Sequence, residues 1–127
     1  MSVKFLSEEW ANEVTKAVNN DEAFQAAAGN HTAKIQNVVS TPEGEKKYFF
    51  TLEGGRAQLS MGEIEGPDAT ISQDYQTAMA LAKSELSGTA AFMSGKVRVS
   101  GDLMKLMAMQ GVFSSLPRVI STIDVEY

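Results

Sequence analysis

The side chains able to do chemistry are thinly spread through this sequence. Cysteine is absent, which removes thiolate nucleophiles, disulfides and Cys-ligated zinc. The single histidine, His31, stands between Asn30 and Thr32 at the start of an alternating run, the setting of a surface or hydrogen-bonded imidazole rather than of a catalytic base. No serine lies in a Gly-x-Ser-x-Gly elbow. Glu63, Glu65 and Asp68 fall close together, but their spacing lacks the ligand order of a calcium loop. Gly54, Gly55 and Gly62 do not form a phosphate-cradling loop ahead of a helix. Proton transfer is the one reaction the sequence leaves open, through Asp68 or Asp74 with Tyr75 beside an apolar pocket. Strand-end and helix-cap duties already explain both acids. No catalytic residue, metal ligand or cofactor site is therefore assigned.

The other chemistry on offer is that of soft apolar surface. Five of the seven methionines, Met79, Met93, Met104, Met107 and Met109, fall in or just before the stretch 89–110. Methionine fills irregular space and accepts varied shapes, so this concentration marks an adaptable core or the wall of a site for a flexible apolar ligand.

A chain of 127 residues, 43% of them hydrophobic, fits one domain with a real core, spanning 1–127. The net charge of −5 and the scattered lysines and arginines exclude a phosphate-backbone surface, so nucleic acid is not expected as a partner. Lys96 and Arg98 leave room for transient contact with anionic lipid head groups, although a solvated strand face is their commoner role. The opening MSVKFLSEEW lacks the apolar core of a signal peptide, and no apolar run approaches the roughly 20 residues of a membrane span. The expected location is cytoplasmic, and the ending Asp-Val-Glu-Tyr is not a peroxisomal address.

The elements that must position these residues follow from hydrophobic period. Ser7 caps a helix in which Trp10, Val14, Ala17 and Val18 share a face, with Trp10 as packing anchor. Asp21 caps a shorter helix stopped by Gly29. From His31 the period falls to 2, and Val38-Val39 interrupts it as a bulge or a two-sided strand. A turn at 41–44 leads to a strand over 47–53 with Tyr48, Phe50 and Leu52 on one face. Gly54-Gly55 then reverses the chain into a third strand with Ala57, Leu59 and Met61 inward. A fourth strand covers 68–72, with Ala69 and Ile71 on one face. Ser72 or Asp74 caps the next helix, which breaks at 83–88.

Residues 90–93 predict a short helix so apolar that it needs cover on several sides, closed by Gly95. The fifth strand, 96–100, points Val97 and Val99 inward. Gly101 and Asp102 start a helix whose Leu103, Met104, Leu106, Met107 and Met109 span so much of its girth that it must be buried on two sides or line a cavity. Gly111 is expected to end it. Leu116, Val119, Ile120 and Ile123 predict a last helix, with Pro117 in its first turn.

The string from Pro67 to Met107 resembles the sterol carrier protein type 2 family. The likeness rests on Asp68, Thr70 and Ile71, then Ala91, Phe92, Gly95, Lys96, Val97 and Val99, then Gly101, Asp102, Leu103, Met104, Lys105 and Leu106, and extends over about residues 5–110. It implies an α+β fold: a five-stranded, mostly antiparallel sheet with helices layered on one face, enclosing an apolar cavity. It also implies binding and transfer of a fatty acid, fatty acyl-CoA, phospholipid or sterol-like ligand rather than covalent chemistry. On that footing the expected lining is drawn from Met79, Leu86, Phe92, Met93, Leu103, Met104, Met107 and Phe113. Two alternatives stand beside it, the proton-transfer enzyme and an interaction module that docks a partner through its methionine-rich face.

Overall fold

The first five helices each begin where a short polar side chain can satisfy an amide that the helix itself leaves unpaired. In the computed structural model, which describes residues 2–127, Ser7 Oγ accepts from the Trp10 amide at 3.2 Å at the head of α1 (Glu8–Asn19). Asp21 accepts from Phe24 at 2.8 Å before α2 (Glu22–Ala28), and Asp74 from Thr77 at 2.7 Å before α3 (Tyr75–Ala82). Of the two caps the sequence offers for α3, Asp74 is the one used. Ser87 caps α4 (Gly88–Met93) and Asp102 caps α5 (Leu103–Ala108) in the same way.

The five-stranded sheet has the order β4-β3-β2-β5-β6, built from β2 (Ala33–Thr41), β3 (Gly44–Glu53), β4 (Arg56–Met61), β5 (Ala69–Asp74) and β6 (Val97–Gly101). Three pairings are antiparallel and one, β2 with β5, is parallel. Gly54 and Gly55 carry φ of 57° and 80°, the two positive values that a tight primed hairpin turn between β3 and β4 requires. The parallel pair needs a crossover, and residues 62–68 make it over the outer face of the sheet. Gln36 pins it there: its Nε2 donates to the carbonyls of Tyr48 and Gly62 at 3.1 Å, and its Oε1 accepts from the Ile64 amide at 2.8 Å.

The opposite face carries the helices and the core. Ala57 and Leu59 of β4, Phe50 and Leu52 of β3, and Ala33, Ile35 and Val39 of β2 are buried against Trp10, Val14 and Val18 of α1 and Phe24 of α2, together with α6 (Gln110–Ile120). A second, two-stranded parallel sheet joins β1 (Val3–Lys4) to β7 (Val125–Glu126), with Phe5 N donating to Glu126 O at 2.9 Å. The period of either short segment gives no sign of that pairing.

Of the two readings of Val38-Val39, the two-sided strand is the one observed: both pair in regular register with Lys47 and Lys46, without a bulge. Three expectations are corrected. Gly111 does not end a helix. The chain breaks two residues earlier, at Met109 (φ −101°, ψ 19°), and Gly111 lies inside α6, where a β-carbon would stand 3.7 Å from that of Ala27. The glycine is an ordinary member of α6 facing α2, not a stop. Pro117 consequently falls deep in α6 instead of in a first turn, and Ile123 lies beyond its end. The third correction concerns α4, which buries only Ala91 and leaves Phe92 and Met93 uncovered.

Candidate functional site

Side chains alternate along a strand, so strand register assembles rows that run across the helix-covered face of the sheet. One such row is Leu59–Phe50–Ile35–Ala69, closed by Gly101; its four side chains are no more than 6% exposed. The next row is Met61–Tyr48–Asn37–Ile71–Val99. Every apolar or aromatic member of it is only partly buried, and Asn37 stands buried on the central strand between Ile35 and Val39. The helices thus seal one row and leave its neighbour partly open. Beyond it, Gln73 continues the line of Ala69 and Ile71 along β5, between Val39 and Val97.

The eight residues expected to line a cavity distribute around this half of the sheet in two sets. Met79 on α3, Leu86 in the α3–α4 connection and Phe113 on α6 are half-buried, with Phe113 leaning on Phe50 at 6.4 Å between ring centroids. Phe92, Met93, Leu103, Met104 and Met107 are exposed, Met93 at 79% and Met104 at 75%. All five sit on α4 and α5, the helices that lead into and out of the edge strand β6. The apolar breadth of α5 therefore faces three ways: Leu106 enters the core, Met109 closes the helix at 1% exposure, and the remaining side chains stand in the open.

The turns that set these helices beside the sheet are specific. Gly95 has φ of 77°, and Gly101 has φ of 105° with a β-carbon position only 2.6 Å from the Asp68 carbonyl oxygen. Asp68 is tied down on both sides, accepting from the Lys34 amide at 2.8 Å and from Lys105 Nζ at 3.2 Å. The backbone bond, with Lys105 assisting, holds its carboxyl below the usual range. Asp74 is lowered in the same direction by its bonds to Thr77. Glu63 is paired with Lys47 at 2.7 Å. Asp68, Asp74 and Glu63 are thus engaged in strand-end, capping and ion-pair contacts, while Glu65 is exposed. Burial pushes the Tyr48 phenol up to about 12, so it stays protonated at neutral pH.

Among the described residues two buried polar atoms lack a protein partner, Nε1 of Trp10 and Oε1 of Gln73. Trp10 packs edge-on to Tyr48 at 5.4 Å and to Phe5 at 5.1 Å, so its orphaned donor lies near the half-open row. Sequence reading passes over Asn37 and Gln73. The signal is present all the same: strict alternation from Ala33 and from Ala69 places an amide at an inward position on each strand. Two polar clefts lie elsewhere, about 320 Å³ between Asn19, Glu53 and Arg56, and about 490 Å³ between Val3, Asn12 and Asp124; none of the eight residues lines either. No helix among the described residues is long and apolar enough to cross a membrane.

Comparison with known proteins agrees with this architecture. Residues 11–114 match the model of the SCP-2 sterol transfer family. Stomatin-like protein 1 of Mus musculus is 32% identical over 81 residues, which is 63% of this chain and 20% of that protein. The chain spans about a fifth of the length of that curated relative. Among solved structures, a crystal structure of sterol carrier protein 2 superposes with a TM-score of 0.77 at 22% identity, over 94% of this chain and 98% of the other. A possible sterol carrier protein from Thermus thermophilus superposes with a TM-score of 0.81 at 21% identity, over 99% and 94%. At these identities the likeness is one of fold.

Proposed function

The chain belongs to the SCP-2 sterol transfer family, and from that premise we propose that it binds a long apolar molecule between the β5–β6 half of its sheet and helices α3 to α6, and passes it on without covalent chemistry. The observation that carries this reading is the half-buried row Met61–Tyr48–Asn37–Ile71–Val99 in a sheet whose neighbouring row is sealed. A floor of that kind is mostly apolar, spans the sheet and keeps some exposure where the neighbouring row has almost none. The exposed Phe92, Met93, Leu103, Met104 and Met107 form the approach to it, where an acyl chain or sterol-like body would leave a lipid surface. Lys96 and Arg98, exposed on and beside the same edge strand, suit brief contact with anionic head groups.

The energetics allow it. An acyl chain of about sixteen carbons gains on the order of 12 kcal/mol at about 0.8 kcal/mol per buried methylene, before the cost of immobilising it. A fatty acid, fatty acyl-CoA, phospholipid or sterol-like molecule all supply such surface. The engaged state of Asp68 and Asp74 favours carriage over proton transfer, since lowered carboxyls are weak bases at neutral pH.

Replacing Met104 or Met107 with glutamate tests the reading. Both are exposed, so the fold should persist by circular dichroism while uptake of a fluorescent fatty acid falls at least tenfold. Unchanged uptake in the folded variants would remove α5 from the site.

A further inference from the structure

We propose that Gln73 is the polar specificity residue of this site and that it selects an uncharged, hydroxyl-bearing lipid. This rests on the lipid-binding reading above and goes beyond it by assigning the head-group contact. Gln73 stands on the helix-facing side of β5, in register with Val39 on one side and Val97 on the other, both buried and apolar. Its Oε1 is fully buried with no donor among the described residues. A buried amide oxygen left without a donor costs roughly 1–3 kcal/mol, so the position calls for a partner. Asn37, the other inward amide, lies one strand away and about 8 Å off by strand spacing and rise.

The chemistry of that partner follows from what surrounds it. A hydroxyl both donates and accepts: its hydrogen meets Gln73 Oε1 and its oxygen can take an N–H from an amide. An ionised carboxylate or phosphate can only accept, so it leaves Oε1 unpartnered and, even at the Nε2 end of the amide, buries its charge between Val39 and Val97. The row does contain a cation, Lys46, but it sits on β3 with β2 between, about 10 Å from the Gln73 strand. Lys96, one residue before the register partner Val97, is the nearer cation, but it is exposed and lies outside the inward row, so no counter-charge stands on that row beside Gln73. The half-open row beginning at Ile71 and Val99 receives the apolar body, and the amide at the closed end reads the head.

The test compares two ligands with the same chain. Tritiated hexadecanol and its methyl ether are bound to the full chain and to Gln73→Leu, with Gln73→Met as a second variant of nearly the same length. The wild-type chain should prefer the alcohol by about tenfold, the worth of one good buried hydrogen bond. In either variant the preference should disappear while affinity for the ether holds or rises, which also reports that the site is folded. Equal affinity for alcohol and ether in the wild-type chain, or a preference that survives both variants, overturns the assignment to Gln73 and leaves lipid binding standing. Failure of the wild-type chain to bind either ligand overturns the lipid-binding reading itself.

Discussion

Asn19 hydrogen-bonds the backbone of Ala57 twice, donating from Nδ2 to the carbonyl at 2.8 Å and accepting from the amide at Oδ1 at 2.9 Å. A side chain of α1 thus takes the place of the missing neighbour of edge strand β4. One turn earlier, Thr15 Oγ1 repeats the device with Leu59, at 2.9 Å from its amide and 3.1 Å from its carbonyl. The two spacings match because four helical residues rise about 6 Å and two strand residues about 6.6 Å. An open edge that would invite pairing with another chain is thereby closed. Asn19→Ala should lose both bonds and destabilise the fold by about 1–3 kcal/mol, measured as a lower urea midpoint at unchanged slope.

Gly101 and Gly95 share a positive φ but differ in what surrounds them. At Gly101 a methyl would lie 2.6 Å from the Asp68 oxygen and 2.9 Å from Ala69 Cα, both backbone atoms that cannot yield cheaply. At Gly95 the space is open. Gly95→Ala should cost about 1–2 kcal/mol for the left-handed conformation alone. Gly101→Ala should cost clearly more and separate β5 from β6, which thermal melts of the two variants side by side would register.

Asp21 titrates low, at about 2, because Arg118 grips both its oxygens at 2.7 and 2.8 Å while the Phe24 amide donates to it. A carboxyl whose folded value lies below its unfolded one stabilises the fold above the unfolded value, near about 3.9, and ceases to as pH falls toward about 2. The bond between the head of α2 and the end of α6 should therefore weaken between about pH 4 and about pH 2. Arg118→Leu should raise the Asp21 midpoint seen by carboxyl NMR and flatten the acid limb of the stability curve. An unmoved midpoint would show that the Phe24 amide alone sets it.

Leu106 and its neighbours on α4 and α5 should respond in opposite ways. Leu106 is 8% exposed within the core, so Leu106→Ala should cost about 2–5 kcal/mol. Met93→Ser and Met104→Ser remove apolar surface that already faces solvent and should shift stability by no more than about 0.5 kcal/mol. A large loss in the serine variants would mean that these methionines are covered in solution.

The sequence by itself determined most of the elements and many of their local ends. Caps at Ser7 and Asp21, the helix start at Asp102, the Gly54-Gly55 hairpin and the period-2 runs are short-range facts, and the string around Phe92, Gly95, Gly101 and Asp102 carried the family. The tertiary structure decided what lies between elements. Gly111 looks like a stop because a glycine near the end of an apolar run usually is one, yet it lies inside α6 at ordinary contact distance from Ala27 on a distant helix. The β1–β7 pair joins two-residue strands too short to have a period, 122 positions apart by the register of Val3 with Val125. The site divided in the same way. Hydrophobic pattern picked out the methionines of α4 and α5 as one broad apolar surface, but which of them meet protein and which meet solvent depends on helix packing. The half-open row was hidden for a further reason: its five members come from five strands, and only register brings them into line.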